Sequence, residues 1–221
     1  MTTQIEAPNR TRVGLSPAVA RTGVVAVLRA DSARFLLPAV STLADSGLVC
    51  LELTLTTPGA LKLLPALREA CPHADIGMGS VRSAAAARRC LDAGAQFLVS
   101  AGFNAGVVAE GVADGVPVYP GGLTPTEIAT AWDAGAAAVK LFPAASMGPA
   151  HLKAIRDPYP DILIMPTGGI GIEDVAMWIK AGAIAVGLGS SLSGDSLRGG
   201  DLSALADRAR RALAGAATAR P

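Results

Sequence analysis

The chain has 221 residues, of which 51% are hydrophobic and 17% charged, and its formal net charge is +1. The length suits one full-sized core, read as a single domain over residues 1–221, and near-neutrality excludes a field that would gather nucleic acid or an anionic membrane. Three cysteines, Cys50, Cys71 and Cys90, without CxxC or Cys/His spacing, point to a reducing, cytoplasmic setting, and no stretch approaches the roughly 18 apolar residues of a membrane span.

The N-terminal segment MTTQIEAPNRTRVGLSPAVARTG has no apolar signal region and reads as a short N-terminal helical extension of a soluble protein. From there, short apolar runs alternate with longer Ala- and Leu-rich segments of helical period. Strands are predicted at 24–29, 48–55, 76–81, 97–101, 117–120, 138–142, 162–166 and 185–188. Helices are predicted at about 33–46, 59–70, 83–93, 105–114, 125–134, 149–156, 173–181 and 201–214. Thr57-Pro58 and Thr124-Pro125 supply N-cap and first-turn proline signals for the second and fifth helices. The joints DAGAQF, DAGAAAV and KAGAIAV each close a helix on glycine and enter the next strand. Eight βα units imply a small parallel (β/α)8 barrel with its site on the loops after the strand C-termini; a doubly wound open sheet is the competing architecture.

Alternation along the second strand puts Leu51, Leu53 and Leu55 on one face and Glu52, Thr54 and Thr56 on the other, which would face the barrel interior. A carboxylate with strand on both sides is either paired or used. In AVKLFPA, Lys140 is the one lysine on a strand; Lys62, Lys153 and Lys180 fall in helical segments. It either snorkels to the surface or, beside Glu52, forms the amine and acid/base pair that Schiff-base chemistry on a carbonyl needs. PTGGI (166–170) and GLGSS (187–191) close strands seven and eight, where backbone N–H groups can hold an anion, although glycine is also the ordinary turn residue. Arg29 ends the first strand and either clamps a carboxylate or meets water. His73 and His151 have no partner at a useful spacing, and no metal motif is present.

The segments LELTLTTP, GMGSV, YPGGLTPTE, VKLFPA, MPTGGI and GLGSSL stand in order from about residue 23 to 195. Together they resemble the 2-keto-3-deoxy-6-phosphogluconate (KDPG) aldolase family, class I aldolases of (β/α)8 fold that are usually homotrimers. The resemblance implies reversible cleavage of a phosphorylated 2-keto-3-deoxy sugar acid to pyruvate and glyceraldehyde 3-phosphate, a step of the Entner–Doudoroff pathway, with no cofactor and no metal. By it, Lys140 matches the imine-forming lysine and Glu52 the general acid/base. Gly168, Gly169 and Ser190 match the phosphate site, and Thr167 lines the pyruvyl pocket. Thr56 stands where many members carry the arginine that holds the pyruvyl carboxylate, so Arg29, in the VLRA ending that other members share, inherits that role with Ser80 beside it. Ser100-Ala101-Gly102 replaces a Ser-Pro-Gly turn. The gluconate-type and galactonate-type phosphorylated acids and 4-hydroxy-2-oxoglutarate all remain open as substrates. A phosphosugar isomerase or epimerase and a non-catalytic sugar-acid binding protein are the competing readings.

Overall fold

The computed structural model describes residues 12–220; the first eleven residues of the expected N-terminal extension and Pro221 lie outside them. Ser16 caps helix α1 (Pro17–Thr22) through its hydroxyl, with Pro17 in the first turn. The chain then runs through β1 (Val24–Leu28), α2 (Leu36–Asp45), β2 (Cys50–Thr54), α3 (Ala60–Ala70), β3 (Asp75–Gly79), α4 (Ala84–Asp92), β4 (Leu98–Val99), α5 (Ala105–Ala113), β5 (Val118–Tyr119) and β6 (Gly121–Gly122). It continues through α6 (Pro125–Asp133), β7 (Val139–Leu141), α7 (Gly148–Arg156), β8 (Ile164–Pro166), α8 (Val175–Lys180), β9 (Val186–Leu188), the single turn α9 (Ser190–Ser193) and α10 (Leu202–Ala219).

The strands make two parallel sheets, one of six strands in the order β5-β4-β3-β2-β1-β9 and one of three in the order β6-β7-β8. The first five strands lie in consecutive order, without the reversal that defines a doubly wound sheet. This is an α/β fold with a curled parallel sheet, and its strands are buried on both faces, as parallel strands between helices require. The predicted fifth strand is observed as β5, and only Pro120 separates it from β6, which extends beyond the predicted end: proline has no N–H to give, and its carbonyl instead accepts from Lys140 N at 2.8 Å. Thr167, just past β8, bridges to Gly187 in β9.

Helix signals held where a side chain does the capping. Thr124 and Glu127 form a reciprocal capping box at the start of α6, and Gly94, Gly135 and Gly182 follow α4, α6 and α8 in the left-handed conformation. The Thr57-Pro58 expectation is corrected: α3 begins at Ala60 with Gly59 as its cap at φ 83°. The Thr57 hydroxyl is instead taken by the loop after β1, where it accepts from Ala30 N at 2.9 Å. The last helix runs five residues past its predicted end, because the segment after Gly215 is alanine-rich and Ala216 is buried against the body of the protein.

Candidate active site

On β7, Val139 and Leu141 are fully buried toward the helices, and alternation sends Lys140 to the opposite face. Glu52 on β2 points the same way. Lys140 Nζ lies 3.8 Å from Glu52 Oε2, and the two residues are only 6% and 2% exposed. The pair comes from strands of different sheets, so it spans the space between them. Burial pushes the Glu52 carboxyl above the ordinary carboxylate range, and Lys140 and then Arg29 pull it part of the way back. A group so placed keeps its proton closer to neutrality than a surface glutamate does.

Room for that carboxylate is made by glycine on the next strand. A Cβ on Gly79 would stand 1.8 Å from Glu52 Oε1 and 2.5 Å from its Cδ. One inward position earlier on the same strand, a Cβ on Gly77 would meet the Phe97 ring at 2.3 Å. The GMGS stretch is therefore a space requirement as well as the setting of Ser80. Ser80 itself follows with φ 61°, the one non-glycine residue of positive φ among those described, a strained conformation of the kind found at ligand sites.

The pair opens into a cleft of about 720 Å³, and all eight residues singled out from the sequence line it: Arg29, Glu52, Ser80, Lys140, Thr167, Gly168, Gly169 and Ser190. The Thr167 hydroxyl is buried and has no hydrogen-bond partner among the described residues, an orphan whose cost a ligand in the cleft would remove. Gly168 and Gly169 hold φ of 97° and 74°. The loop after β7 packs against both, since a Cβ on Gly168 would meet the Phe142 ring at 2.9 Å and one on Gly169 the Ala145 Cβ at 2.6 Å. Both glycines are thus needed for backbone reasons, and among the described residues their N–H groups find no acceptor, which leaves them free for an anion. Ser190 opens α9, while the neighbouring Ser191 hydroxyl is already spent on Ile170 O at 2.7 Å. A second cavity of about 560 Å³, where the chain before α1 meets Arg68, Asp75 and Gln96, contains none of these groups.

A pair of buried amine and carboxyl groups under a rim of unengaged amides fits carbonyl chemistry on an anionic substrate, and known proteins of similar sequence carry out such chemistry. The family model "KDPG and KHG aldolase" matches residues 16–207. The chain belongs to the KDPG and KHG aldolase family. The 2-dehydro-3-deoxy-phosphogluconate aldolase of Treponema pallidum is 34% identical over 188 residues, covering 84% of this chain and 90% of that one. The 2-dehydro-3-deoxy-6-phosphogalactonate aldolase of Escherichia coli is also 34% identical, over 171 residues, 76% of this chain and 83% of that one. A solved KDPG aldolase of Legionella pneumophila, with pyruvate captured at low pH as a covalent carbinolamine intermediate, superposes with a TM-score of 0.79 at 28% identity, over 87% of this chain and 95% of that one.

Against the KDPG aldolase pattern, two departures now have a structural account. Thr56 is exposed and lies outside the cleft lining, its hydroxyl donating to Thr54 Oγ1 at 3.1 Å. The expectation that it faces the interior is corrected: β2 ends at Thr54, the chain turns with Thr57 N donating to Thr54 O, and alternation stops with the strand. Ala101 does line the cleft, and the Ser100 hydroxyl closes that turn on Gly102 O at 2.7 Å. What sequence reasoning missed is a positioning network. Thr54 Oγ1 lies 3.1 Å from Thr57 Oγ1, which accepts from Ala30 N, so the residue next to Arg29 is tied to β2. Asp31, Phe142 and Arg198 also line the cleft without having been singled out. His151 is structural, its Nε2 2.8 Å from Leu123 O.

Proposed function

We propose that the protein is a class I aldolase that reversibly cleaves 2-dehydro-3-deoxy-6-phosphogluconate to pyruvate and glyceraldehyde 3-phosphate. The observation that carries this reading is the buried Lys140–Glu52 pair at 3.8 Å, opening into a cleft rimmed by unengaged amides and the orphan Thr167 hydroxyl. Lys140 Nζ adds to the C2 carbonyl, and the C2 oxygen takes one proton from the adding amine and one from Glu52, whose carboxyl burial raises, and leaves as water to form the imine. Glu52 then takes the proton of the C4 hydroxyl. The C3–C4 bond breaks, its electron pair passing into the imine as an enamine, and the aldehyde departs. Glu52 returns the proton to C3, and water releases pyruvate. The 3.8 Å gap exceeds direct hydrogen-bond reach, so each transfer is bridged by a substrate or water oxygen. One carboxyl serves as acid and base in turn because its raised value lies nearer the working pH.

Arg29, Ser80 and Thr167 hold the pyruvyl carboxylate and carbonyl, and Gly168, Gly169 and Ser190 hold the phosphate. The two sheets close into a single-domain (β/α)8 barrel, a reading supported by the Thr167–Gly187 bridge and by Pro120 as the sole break between β5 and β6. A homotrimer in the cytoplasm fits the family resemblance, the exposed Phe142 and Met147 after β7, and the three free, buried thiols.

The test is borohydride reduction in the presence of pyruvate, followed by peptide mass mapping. Inactivation with a pyruvyl adduct on the peptide containing Lys140 is expected, and Lys140→Met should abolish it. An adduct on another lysine, or full activity after trapping, sinks the assignment and favours an isomerase-type barrel. Offering both C4 epimers and 4-hydroxy-2-oxoglutarate to the same enzyme ranks the substrates.

A further inference from the structure

The cleft holds more positive charge than the chemistry of one carboxylate needs. Arg29, Lys140 and Arg198 line it against Asp31 and Glu52, and burial pushes Glu52 toward its neutral form. Ion pairs among the described residues involve Arg88, Lys140, Arg210 and Arg211; Arg29 and Arg198 have no carboxylate within reach.

The two guanidinium groups come from different segments, Arg29 from the end of β1 and Arg198 from the turn after α9. Arg29 pulls the raised Glu52 carboxyl back down, whereas Arg198 lines the cleft from the segment that follows α9. Its segment is the one that carries Ser190. Arg208 on α10 donates to Leu192 O and Ser193 O, and the Ser196 hydroxyl donates to Ser193 O at 2.7 Å. Leu197 is buried, and Gly199 turns the chain at φ 90° against the Phe35 ring. Arg198 therefore projects from a tied turn rather than from a loose loop, which lowers the entropy lost when it engages a ligand.

We propose that Arg198 is a specificity residue that engages the distal phosphate of the substrate, complementing the neutral amide cradle of Gly168, Gly169 and Ser190 with a full charge. The inference rests on the aldolase reading. A phosphorylated keto acid carries a carboxylate next to the reacting carbonyl and a phosphate of about −1.5 to −2 charge at its far end; Arg29 and Arg198 give each end one cation. A guanidinium also suits phosphate better than an ammonium does, because its planar fork can donate twice.

The experiment compares kcat/KM for glyceraldehyde 3-phosphate and for glyceraldehyde in aldol addition to pyruvate, in wild type, Arg198→Ala and Arg198→Lys. Because Arg198 is exposed, the selectivity for the phosphorylated aldehyde should fall by about three- to tenfold in Arg198→Ala. It should recover in part in Arg198→Lys, and the wild-type preference should shrink as salt is raised. Inhibition by inorganic phosphate should weaken in parallel. Selectivity within twofold of wild type in Arg198→Ala, or an equal loss on both aldehydes, overturns the proposal. Borohydride trapping by pyruvate at Lys140 separates the two levels: if wild type is not trapped, the aldolase reading has failed, and if it is trapped while selectivity is unmoved, only the role of Arg198 has.

Discussion

Gly79→Ala puts a methyl group where Glu52 now lies. The backbone of Gly79 is ordinary strand, so alanine meets no conformational penalty there; the whole effect is steric. The added Cβ would stand 1.8 Å from Oε1, and ordinary contact begins at 3.4 Å, so the carboxylate must move by about 1.6 Å. Glu52 is 2% exposed, and overpacking of this kind costs about 1–3 kcal/mol of stability. A misplacement of about 1 Å can cost on the order of a hundredfold in rate, and a positioned acid/base contributes about 10²–10⁴-fold. Turnover should therefore drop by about a hundredfold, measured as pyruvate release coupled to lactate dehydrogenase, with borohydride trapping slowed. Gly77→Ala is the matched control, because the atoms nearest its Cβ belong to the Phe97 ring, at 2.3 Å, whereas those nearest a Cβ on Gly79 belong to Glu52. It should lose comparable stability in thermal unfolding yet keep turnover within a few fold. If folded Gly79→Ala retains turnover within about threefold of wild type, or if Gly77→Ala loses as much, the placement of Glu52 is not what limits catalysis.

Glu52→Gln should lower turnover by about 10²–10⁴-fold and also change the pH dependence of stability. The folded-state value of Glu52 is raised above its ordinary 4.5, so its contribution to stability is full below that pH and is lost as pH rises through the raised value. The variant does not titrate there, so it should gain on wild type in urea unfolding as pH is raised above 4.5; a difference that stays flat with pH refutes the desolvated carboxyl. Arg29→Ala should weaken pyruvate, read from the concentration dependence of trapping, by about five- to thirtyfold, or ~1–2 kcal/mol, since Arg29 is exposed and a charge-assisted pair there is screened. Normal pyruvate binding by Arg29→Ala would leave the carboxylate to Ser80 and Thr167.

Much of the candidate site was legible because its buried ionisable pair sits on strands. A lysine between two apolar residues of a parallel strand reaches water only by snorkelling, so Lys140 stood out, and the period of two in LELTL sorted Glu52 from its leucines. Alternation lasts only while the chain stays extended, which is why it misplaced Thr56, two residues past the end of β2. Thr57-Pro58 carries the same local signal as Thr124-Pro125, yet only Thr124 caps a helix; the difference is Ala30 N, a long-range donor that claims the Thr57 hydroxyl. Glycine was ambiguous for a different reason. Gly168 needs its φ and its closeness to Phe142, while Gly79 needs only the absence of a side chain, and one letter encodes both.

The way these residues are tied together also bears on how the site reads substrate length. The β1 ladder pairs Val24 with Val186 and Ala26 with Leu188 on β9, so the strand that delivers Arg29 and the strand that leads into Ser190 are hydrogen-bonded neighbours of fixed register. The Thr54–Thr57–Ala30 chain fixes the first loop from the other side, and Arg208 fixes the second. On the aldolase reading, the two anion sites are therefore held at a constant separation by a sheet ladder, with Lys140 reaching the carbonyl from β7. On that reading the ladder sets the span a substrate must bridge, and discrimination of the C4 epimer falls to wall residues such as Ala101.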